Sequence, residues 1–417
     1  MKVLLIGGGG REHALATGLA ADEKVTELHA APGNPGIAKL AKLHPIAIND
    51  NQKLVTLAKD LAVDLVVIGP EAPLVNGLAD DLSAANIPVF GPSKAAAQLE
   101  SSKDFAKSIM HKAAVPTANS LTCETKKEIE EALDKFGAPY VVKDDGLAAG
   151  KGVVVTDDRN VALQHALSCK RVVIEEYLDG PEISLFGISD GNQILALQPA
   201  QDFKRAYDND EGPNTGGMGA YSPLPWAPIN IEEEVHQKVL APMISIMKTQ
   251  GTPFVGLLYA GLALTKEGIK VIEFNARFGD PETQVLIPRL KTPLGQLLYK
   301  AATGNLEDTK LEWRDESAVT VVLAANGYPN EVKTGDEIFQ IPDMSDTLIF
   351  HAGTKIQGVL ISAGGRVLAV TGLGNDLTLA KDRAYQAISK IRLAGSFYRR
   401  DIALNASIDQ KAELVQK

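Results

Sequence analysis

The chain has 417 residues, enough for two to four domains at about 150 residues each. With 45% hydrophobic and 23% charged residues it is not a disordered chain, and at this length it is not a small disulfide-stapled scaffold. Lys and Arg number 42 against 52 Asp and Glu; the net charge of −10 argues against a nucleic-acid partner, although local basic pockets for small anions stay open.

Cys123 and Cys169 are too few for a disulfide framework and read as free thiols in a reducing cytosol. No apolar run nears the roughly 18 residues of a membrane-spanning helix; 256–264 is among the longest. The chain opens directly on a strand, without a charged leader or a cleavage site. The expectation is a cytoplasmic protein acting on small molecules, with no membrane partner. The oligomeric state is open, a monomer included.

The first hundred residues alternate strand and helix. Strands are expected over 3–6, 65–68 and 89–90, and a helix over 11–21. The apolar run Leu65-Val66-Val67-Ile68, closed by Gly69-Pro70, reads as a buried parallel strand. This is a small doubly wound α/β domain, in which ligands lie beyond the carboxyl ends of the strands. Helices are expected over 101–113 and 126–136, and strands over 140–143, 153–156, 171–176 and 183–188. After Trp313 a β-rich stretch begins, with strands over 318–323, 347–350 and 367–371 and a helix over 377–391. The division is an α/β domain over 1–101, a central domain over 102–312 with a flap near 117–180, and a C-terminal β-rich α+β domain over 313–417.

Gly7-Gly8-Gly9-Gly10-Arg11-Glu12-His13 stands where a dinucleotide fingerprint would. The third glycine of that fingerprint is missing, and no acid closes the next strand, so NAD is not expected. Backbone N–H groups at a helix start still suit a phosphate, and a tight turn without a ligand is the alternative.

Gly146-Leu147-Ala148-Ala149-Gly150-Lys151-Gly152 is the most distinctive run. A Walker loop needs four residues between its first glycine and Gly-Lys, then a hydroxyl; here three intervene and Gly152 follows. Strands flank it on both sides, so it is a hairpin tip, able to fold over a polyphosphate with Lys151 and Lys143 supplying charge. Gly187-Ile188-Ser189-Asp190-Gly191 matches the nucleophile elbow by letters only, because Asp190-Gly191-Asn192 reads as a hairpin turn.

From Val271 to Phe278 the chain alternates strictly. Ile272, Phe274, Ala276 and Phe278 are expected on the apolar face, and Glu273, Asn275 and Arg277 on the other. A carboxylate and an amide oxygen at this spacing suit magnesium, and Arg277 could stabilise a phosphoryl group in transfer. Asp280-Pro281 reads as the cap and first residue of a helix. Asp202, Lys204, Arg205 and the run Gly212–Gly219 form a long polar loop, of the kind that is usually functional. The seven histidines are scattered, and no zinc site is expected.

Together, Gly9–Ala14, Gly69–Leu74, Asp145–Gly152, Gly212–Tyr221 and Glu273–Gln284 resemble the phosphoribosylamine–glycine ligase family of ATP-grasp enzymes. The resemblance covers nearly the whole chain and implies a central ATP-grasp α+β domain with a mobile flap. It implies an ATP-dependent ligase that joins glycine to 5-phosphoribosylamine through glycyl phosphate. ATP is a substrate, and Mg2+ or Mn2+ the cofactor. By the family's pattern Lys103 and Lys143 contact ATP phosphates beneath a flap carrying Gly146, Gly150, Lys151 and Gly152. Glu175, Tyr177 and Leu178 correspond to the adenine hinge, with Glu182 at the ribose. Glu273 and Asn275 correspond to metal ligands, and Arg277 and Lys151 to catalytic residues. Gly9, Gly10, Arg11, Glu71, Asp202, Lys204, Asn214, Thr215, Gly216, Gly217 and Asp280 correspond to the substrate site. The chain departs from the pattern at Gly8 (commonly Asn), Asp144 (Ala), Phe203 (His) and Ala276 (Cys). Another carboxylate-activating ATP-grasp enzyme, such as a biotin carboxylase-like one, would share Glu273–Arg277 but not Gly69–Leu74 or Gly212–Tyr221. A nucleotide-binding protein without turnover would lack one of Glu273, Asn275 and Arg277.

Overall fold

The computed structural model describes residues 1–146 and 152–416. Its first unit is a five-stranded sheet in the order Lys42–Leu43, Glu27–Pro32, Lys2–Gly7, Leu65–Ile68, Val89–Phe90. Every pair in it is parallel. The two central strands are buried on both faces, which is why they read as unbroken apolar runs. Strand order reverses between Lys2–Gly7 and Leu65–Ile68, and the glycine loops leave the sheet at that switch point.

A second unit is a four-stranded antiparallel sheet ordered Ser120–Cys123, Val172–Glu175, Tyr140–Asp144, Val153–Thr156. Helices Lys126–Phe136 and Arg159–Ser168 bury Ile129, Leu133, Ala162 and Ala166 against it. The first of these helices forms where the sequence puts it, because Thr125 and Glu128 make a reciprocal capping box around an amphipathic run.

Two further sheets carry most of the site. One joins Ile194–Ala196, Glu182–Asp190, Val255–Thr265 and Gly268–Asn275. The other joins Gln201–Asp202, Gly219–Ser222, Ser317–Ala324, Arg366–Gly374 and Thr347–His351. The β-rich stretch after Trp313 therefore shares its sheet with two strands from the 201–222 region. One continuous core runs beneath both sheets, from Leu185 and Leu258 to Val319 and Val370. No helix among the described residues is long and apolar enough to cross a membrane.

Four local expectations are corrected. The segment 101–113 is divided: Gln98–Ser101 ends one helix, and Ser102 caps the next, Lys103–Lys112, by accepting the Phe105 N–H. The helix expected over 377–391 stops at Ile388. Asp280 does not cap a helix. The Asp280–Pro281 peptide is cis, and the helix is Thr283–Leu286 with Glu282 at its cap. Strict alternation fails at Ile272: Gly261 pairs with Glu273 and Leu262 with Val271, so Ile272 is a bulge and Val271 takes the core position. Ser189 is fully buried, and its hydroxyl accepts the Gly191 N–H inside the hairpin turn.

Candidate active site

The helix Gly10–Ala20 starts at the switch point with Gly9 as its cap. Glu12 closes the turn, its carboxylate accepting the Gly9 N–H at 2.6 Å. Side chains at Gly7 and Gly69 would collide with Glu12, at 2.5 and 2.3 Å, so both glycines are needed to seat that carboxylate. This is the physical reason the dinucleotide pattern fails: Glu12 occupies the space over the turn.

From that turn Arg11 reaches toward the strand end beyond Asn275. Its Nε pairs with Glu12 at 2.6 Å, one terminal nitrogen donates to the Phe278 carbonyl at 3.1 Å, and the other lies 3.9 Å from Glu71. Arg277 meets it there. Arg277 pairs with Glu100 at 3.0 Å, faces Glu71 at 3.5 Å and donates to Asn275 Oδ1 at 3.2 Å. Its Nε is the nitrogen that faces Glu71, within ion-pair reach but outside hydrogen-bond geometry. Burial opposes charge on Glu71, but Arg11 and Arg277 outweigh it and hold the carboxyl below the usual range. Burial wins at Glu100 and pushes its carboxyl up.

Asp280 faces the same turn. Its carboxylate takes Gln284 Nε2 at 2.7 Å and Arg366 at 3.1 Å. It lies 3.6 Å from where a side chain at Gly10 would begin. Burial opposes its charge, and Arg366 and then Arg11 overcome that, so the carboxyl is held low. Arg366 also donates to the carbonyls of Gly216 and Asp280, and Gly217 packs on Pro281 so closely that a Cβ would stand 2.4 Å from its ring. Gly9, Gly10, Arg11, Glu71, Gly216, Gly217, Arg277 and Asp280 thus converge, drawn from three separate sheets and their loops.

The polar loop is tied in at its base. Thr215 donates through both its amide and its hydroxyl to the Lys204 carbonyl, at 2.7 and 2.9 Å. The Lys204 ammonium takes Asp202 at 2.9 Å and Glu182 at 3.1 Å. Burial opposes its charge, and the two carboxylates outweigh that and raise its pKa. Asn214 accepts from Arg205 through its side-chain oxygen at 3.4 Å.

A second cluster lies where the small antiparallel sheet meets the strand Gly268–Asn275. Lys143 donates to the Ile272 carbonyl at 3.0 Å, the group that the bulge sets free, and pairs with Glu175. Lys107 pairs with the other Glu175 oxygen at 2.7 Å. Burial opposes charge on Glu175, and the two lysines hold its carboxyl low. Lys103 donates to the Gly146 carbonyl at 3.1 Å, at the root of the glycine hairpin. Tyr177 and Glu182 are exposed and Leu178 half-buried beyond the strand Val172–Glu175, and Gly152 is buried. Gly150 and Lys151 lie outside the described residues. Asp144 turns to the Cys169 thiol, whose pKa burial and that carboxylate raise.

Glu273 and Asn275 project half-buried from the same strand. No group of three or more His, Cys, Asp or Glu side chains among the described residues could hold a metal. Two oxygen donors at this spacing fit a hard divalent ion that draws the rest of its shell from phosphate and water.

Sequence reasoning missed three residues that build this site, and it gave no role to Gln284 at the end of the run Glu273–Gln284. Glu100 and Asn34 stand in no motif; Asn34 joins the Gly8 carbonyl to the His351 carbonyl, at 2.9 and 2.8 Å. Arg366 had a signal, the pair Gly364-Gly365 before it. Gly364 lets two backbones touch, and a side chain at Gly365 would strike Tyr328 at 2.2 Å.

Comparison with known proteins bears on this geometry. The chain matches the models Phosphoribosylglycinamide synthetase, N domain, over residues 1–100, ATP-grasp (A) domain over residues 101–283, and C domain over residues 318–405. It is 59% identical to a phosphoribosylamine–glycine ligase of Streptomyces coelicolor, covering 98% of this chain and 100% of that protein. It is 54% identical to one of Corynebacterium ammoniagenes, over 96% of this chain and 97% of the relative. A crystal structure of phosphoribosylamine–glycine ligase from Thermotoga maritima superposes with a TM-score of 0.84 at 34% identity, covering 97% and 100% of the two chains. A biotin carboxylase of Campylobacter jejuni shares the fold alone, with a TM-score of 0.74 at 15% identity over 95% of this chain and 92% of that one. With all three domain models in order and full-length relatives above 50% identity, the chain belongs to the phosphoribosylamine–glycine ligase family of ATP-grasp enzymes.

Proposed function

We propose that this chain joins glycine to 5-phosphoribosylamine in purine biosynthesis, converting ATP to ADP and phosphate and giving glycinamide ribonucleotide. The observation that carries the reading is the meeting of Arg11, Glu71, Arg277, Asp280 and Arg366 in one cluster, in a chain aligned end to end with ligases of this name. A glycine carboxylate is a poor electrophile. One of its oxygens first takes the terminal phosphoryl of ATP, forming an O–P bond as the bond to ADP breaks. The amine nitrogen then attacks the carbonyl carbon, phosphate leaves, and the amine proton is released. Positioning and charge neutralisation are the protein's contribution to both steps.

The site residues divide along the two clusters. In this reading Lys103 and Lys143 hold the ATP phosphates, with Gly146, Gly150, Lys151 and Gly152 closing above them. Glu175, Tyr177 and Leu178 hold adenine and Glu182 the ribose. The Glu175 carboxylate then has a second duty, keeping Lys143 and Lys107 in place. Arg277, held by Glu100 and Glu71, steadies the phosphoryl group in transfer. Glu273 and Asn275 would hold Mg2+ or Mn2+, which neutralises phosphate oxygens when bound. Gly9, Gly10, Arg11, Glu71, Asp202, Lys204, Asn214, Thr215, Gly216, Gly217 and Asp280 take the phosphoribosylamine and the acyl phosphate. Small molecules are the partners, in the cytoplasm.

The test is ADP release with magnesium-ATP and glycine, with and without phosphoribosylamine made in situ from ribose 5-phosphate and ammonia. Release that needs both co-substrates supports the ligase. Release with neither, or none at all, removes it.

A further inference from the structure

Among the described residues Arg399 is the largest fully buried side chain, yet it lies in a segment near the C-terminus to which the proposed reaction assigns no role. Its guanidinium grips Asp401 with two hydrogen bonds, at 2.8 and 2.6 Å. Its remaining terminal nitrogen donates to Asp210 Oδ1 at 2.7 Å and to the Arg205 carbonyl at 3.2 Å. The guanidinium carbon sits 4.8 Å from the ring centre of Phe203. Two more bonds run alongside: the Arg400 N–H to Asp208 at 2.7 Å, and the Asn209 N–H to Asp401 at 2.9 Å. Four hydrogen bonds thus join residues 399–401 to residues 205–210.

The segment they hold is a two-stranded hairpin, Arg205–Tyr207 with Glu211–Asn214. An isolated pair of that length is marginal in water. Its tip turns through Asn209 and Asp210, both in the left-handed region at φ 60° and 55°, which Asn and Asp adopt more readily than other side chains. The base of the same hairpin is Lys204 with the Thr215–Gly217 turn, tied by Thr215 to the Lys204 carbonyl and by Met218 to the Phe203 carbonyl. Tip and base form one lever, and the C-terminal segment holds its far end.

We propose that Arg399 is a positioning residue: it latches the hairpin tip so that Lys204 and the Thr215–Gly217 turn are presented to phosphoribosylamine in a fixed geometry. The inference rests on the assignment of that turn to the substrate site. It goes beyond that assignment by giving the C-terminal segment a part in the reaction and Phe203 a role beneath the latch.

The test uses the full chain and two readouts. Asp210→Asn, on the exposed side of the latch, keeps a residue at ease in the left-handed region and removes the charge that Arg399 holds. Arg399→Ala removes the buried side, and Arg399→Lys keeps the charge without the fork. The first readout is hydrogen exchange of the amides at 211–217, which reports the latch whether or not the functional reading holds. Faster exchange there, with the rest of the chain unchanged, is expected of Asp210→Asn. Exchange identical to wild type overturns the latch. The second readout is the kinetic split. The Michaelis constant for phosphoribosylamine should rise about tenfold in Arg399→Ala, the worth of one charge-assisted hydrogen bond, and less in Arg399→Lys, while that for ATP stays put. Equal losses for ATP, glycine and phosphoribosylamine overturn the positioning role, as does no loss for any. Failure of the functional reading shows instead in the wild-type chain, as ADP release that does not need both co-substrates.

Discussion

Arg11 and Arg277 meet at the seam between the first and second domains, where both donate to the Phe278 carbonyl, at 3.1 and 3.4 Å. Both also face one oxygen of Glu71, at 3.9 and 3.5 Å. Two guanidinium groups this close repel unless carboxylates separate them, and Glu12, Glu71 and Glu100 do so. The arrangement holds a wall of paired guanidinium groups in place before any ligand arrives, so little reorganisation is left for the reaction.

Glu100 is the inner anchor of that wall, with one oxygen on Arg277 and the other on the Ala276 N–H at 2.7 Å. Glu100→Ala leaves a buried arginine without its partner and should destabilise the fold by about 3–5 kcal/mol. A lower urea midpoint with an unchanged slope is the expected result. Glu100→Gln keeps the bond to Ala276 and should lose less stability but still lower kcat. Full kcat in Glu100→Gln would show that Arg277 needs no charged anchor.

Glu273 pairs with no described cation and is only half-buried, so the fold does not depend on it. Glu273→Gln should lower turnover more than ~100-fold while the melting temperature stays put, because a bound divalent ion loses its charged ligand. An unchanged rate at saturating magnesium removes Glu273 from the metal site. Calorimetry of magnesium-ATP binding separates lost affinity from lost turnover.

Arg366 clamps the Gly216 and Asp280 carbonyls and the Asp280 carboxylate together. Charge-assisted hydrogen bonds are worth about 1.5–3 kcal/mol each. Arg366→Ala should therefore raise the Michaelis constant for phosphoribosylamine roughly 10- to 100-fold. The constant for ATP should not move, since Lys103 and Lys143 lie in the other cluster. A parallel rise in both would mean that the C-terminal domain acts on the fold as a whole.

His13 and His351 set an acid limit. The His13 Nδ1 accepts the His351 N–H at 2.7 Å, so the fold needs a neutral ring. Burial, then His351 and Lys39, lowers the His13 pKa to about 3, and burial with Lys39 lowers that of His351 to about 4. The unfolded chain, with ordinary values near 6.5, binds protons that the folded chain refuses. Stability is therefore full above pH about 6.5 and is lost as pH falls toward 4, by up to about 1.4 kcal/mol per unit for each ring. Thermal unfolding from pH 7.5 to 4.5 should show this fall, and His13→Asn should flatten it. A pH-independent melting point in the wild-type chain would sink the assignment.

Local pattern carried much of the molecule. Buried strands such as Leu65–Ile68, the helix Lys126–Phe136 with its capping box, and the placing of Glu273 and Asn275 on one strand all follow from residues within a few positions of each other. Short-range periodicity and capping act within the segment itself, so they leave a trace in the letters. The glycine loops were legible for the same reason: a glycine run marks where backbone must turn tightly or come close.

What only the tertiary structure decided lies between distant residues. Arg11 reaches Phe278 across 267 positions, Asn34 reaches His351 across 317, and Arg366 reaches Gly216 across 150. A hydrogen bond between such partners imposes no spacing on the chain, so Glu100, Asn34 and Arg366 carried little or no mark of their roles. The bulge at Ile272 has the same origin. It is set by register against Val255–Thr265, and it hands the freed Ile272 carbonyl to Lys143. Asp280 looked like a helix cap by its neighbours, and the pocket gave it Arg366 and Gln284 instead. The amino-acid order determined which chemical groups this protein carries and the segments that bear them. Packing of sheets from distant parts of the chain decided which of those groups face one another.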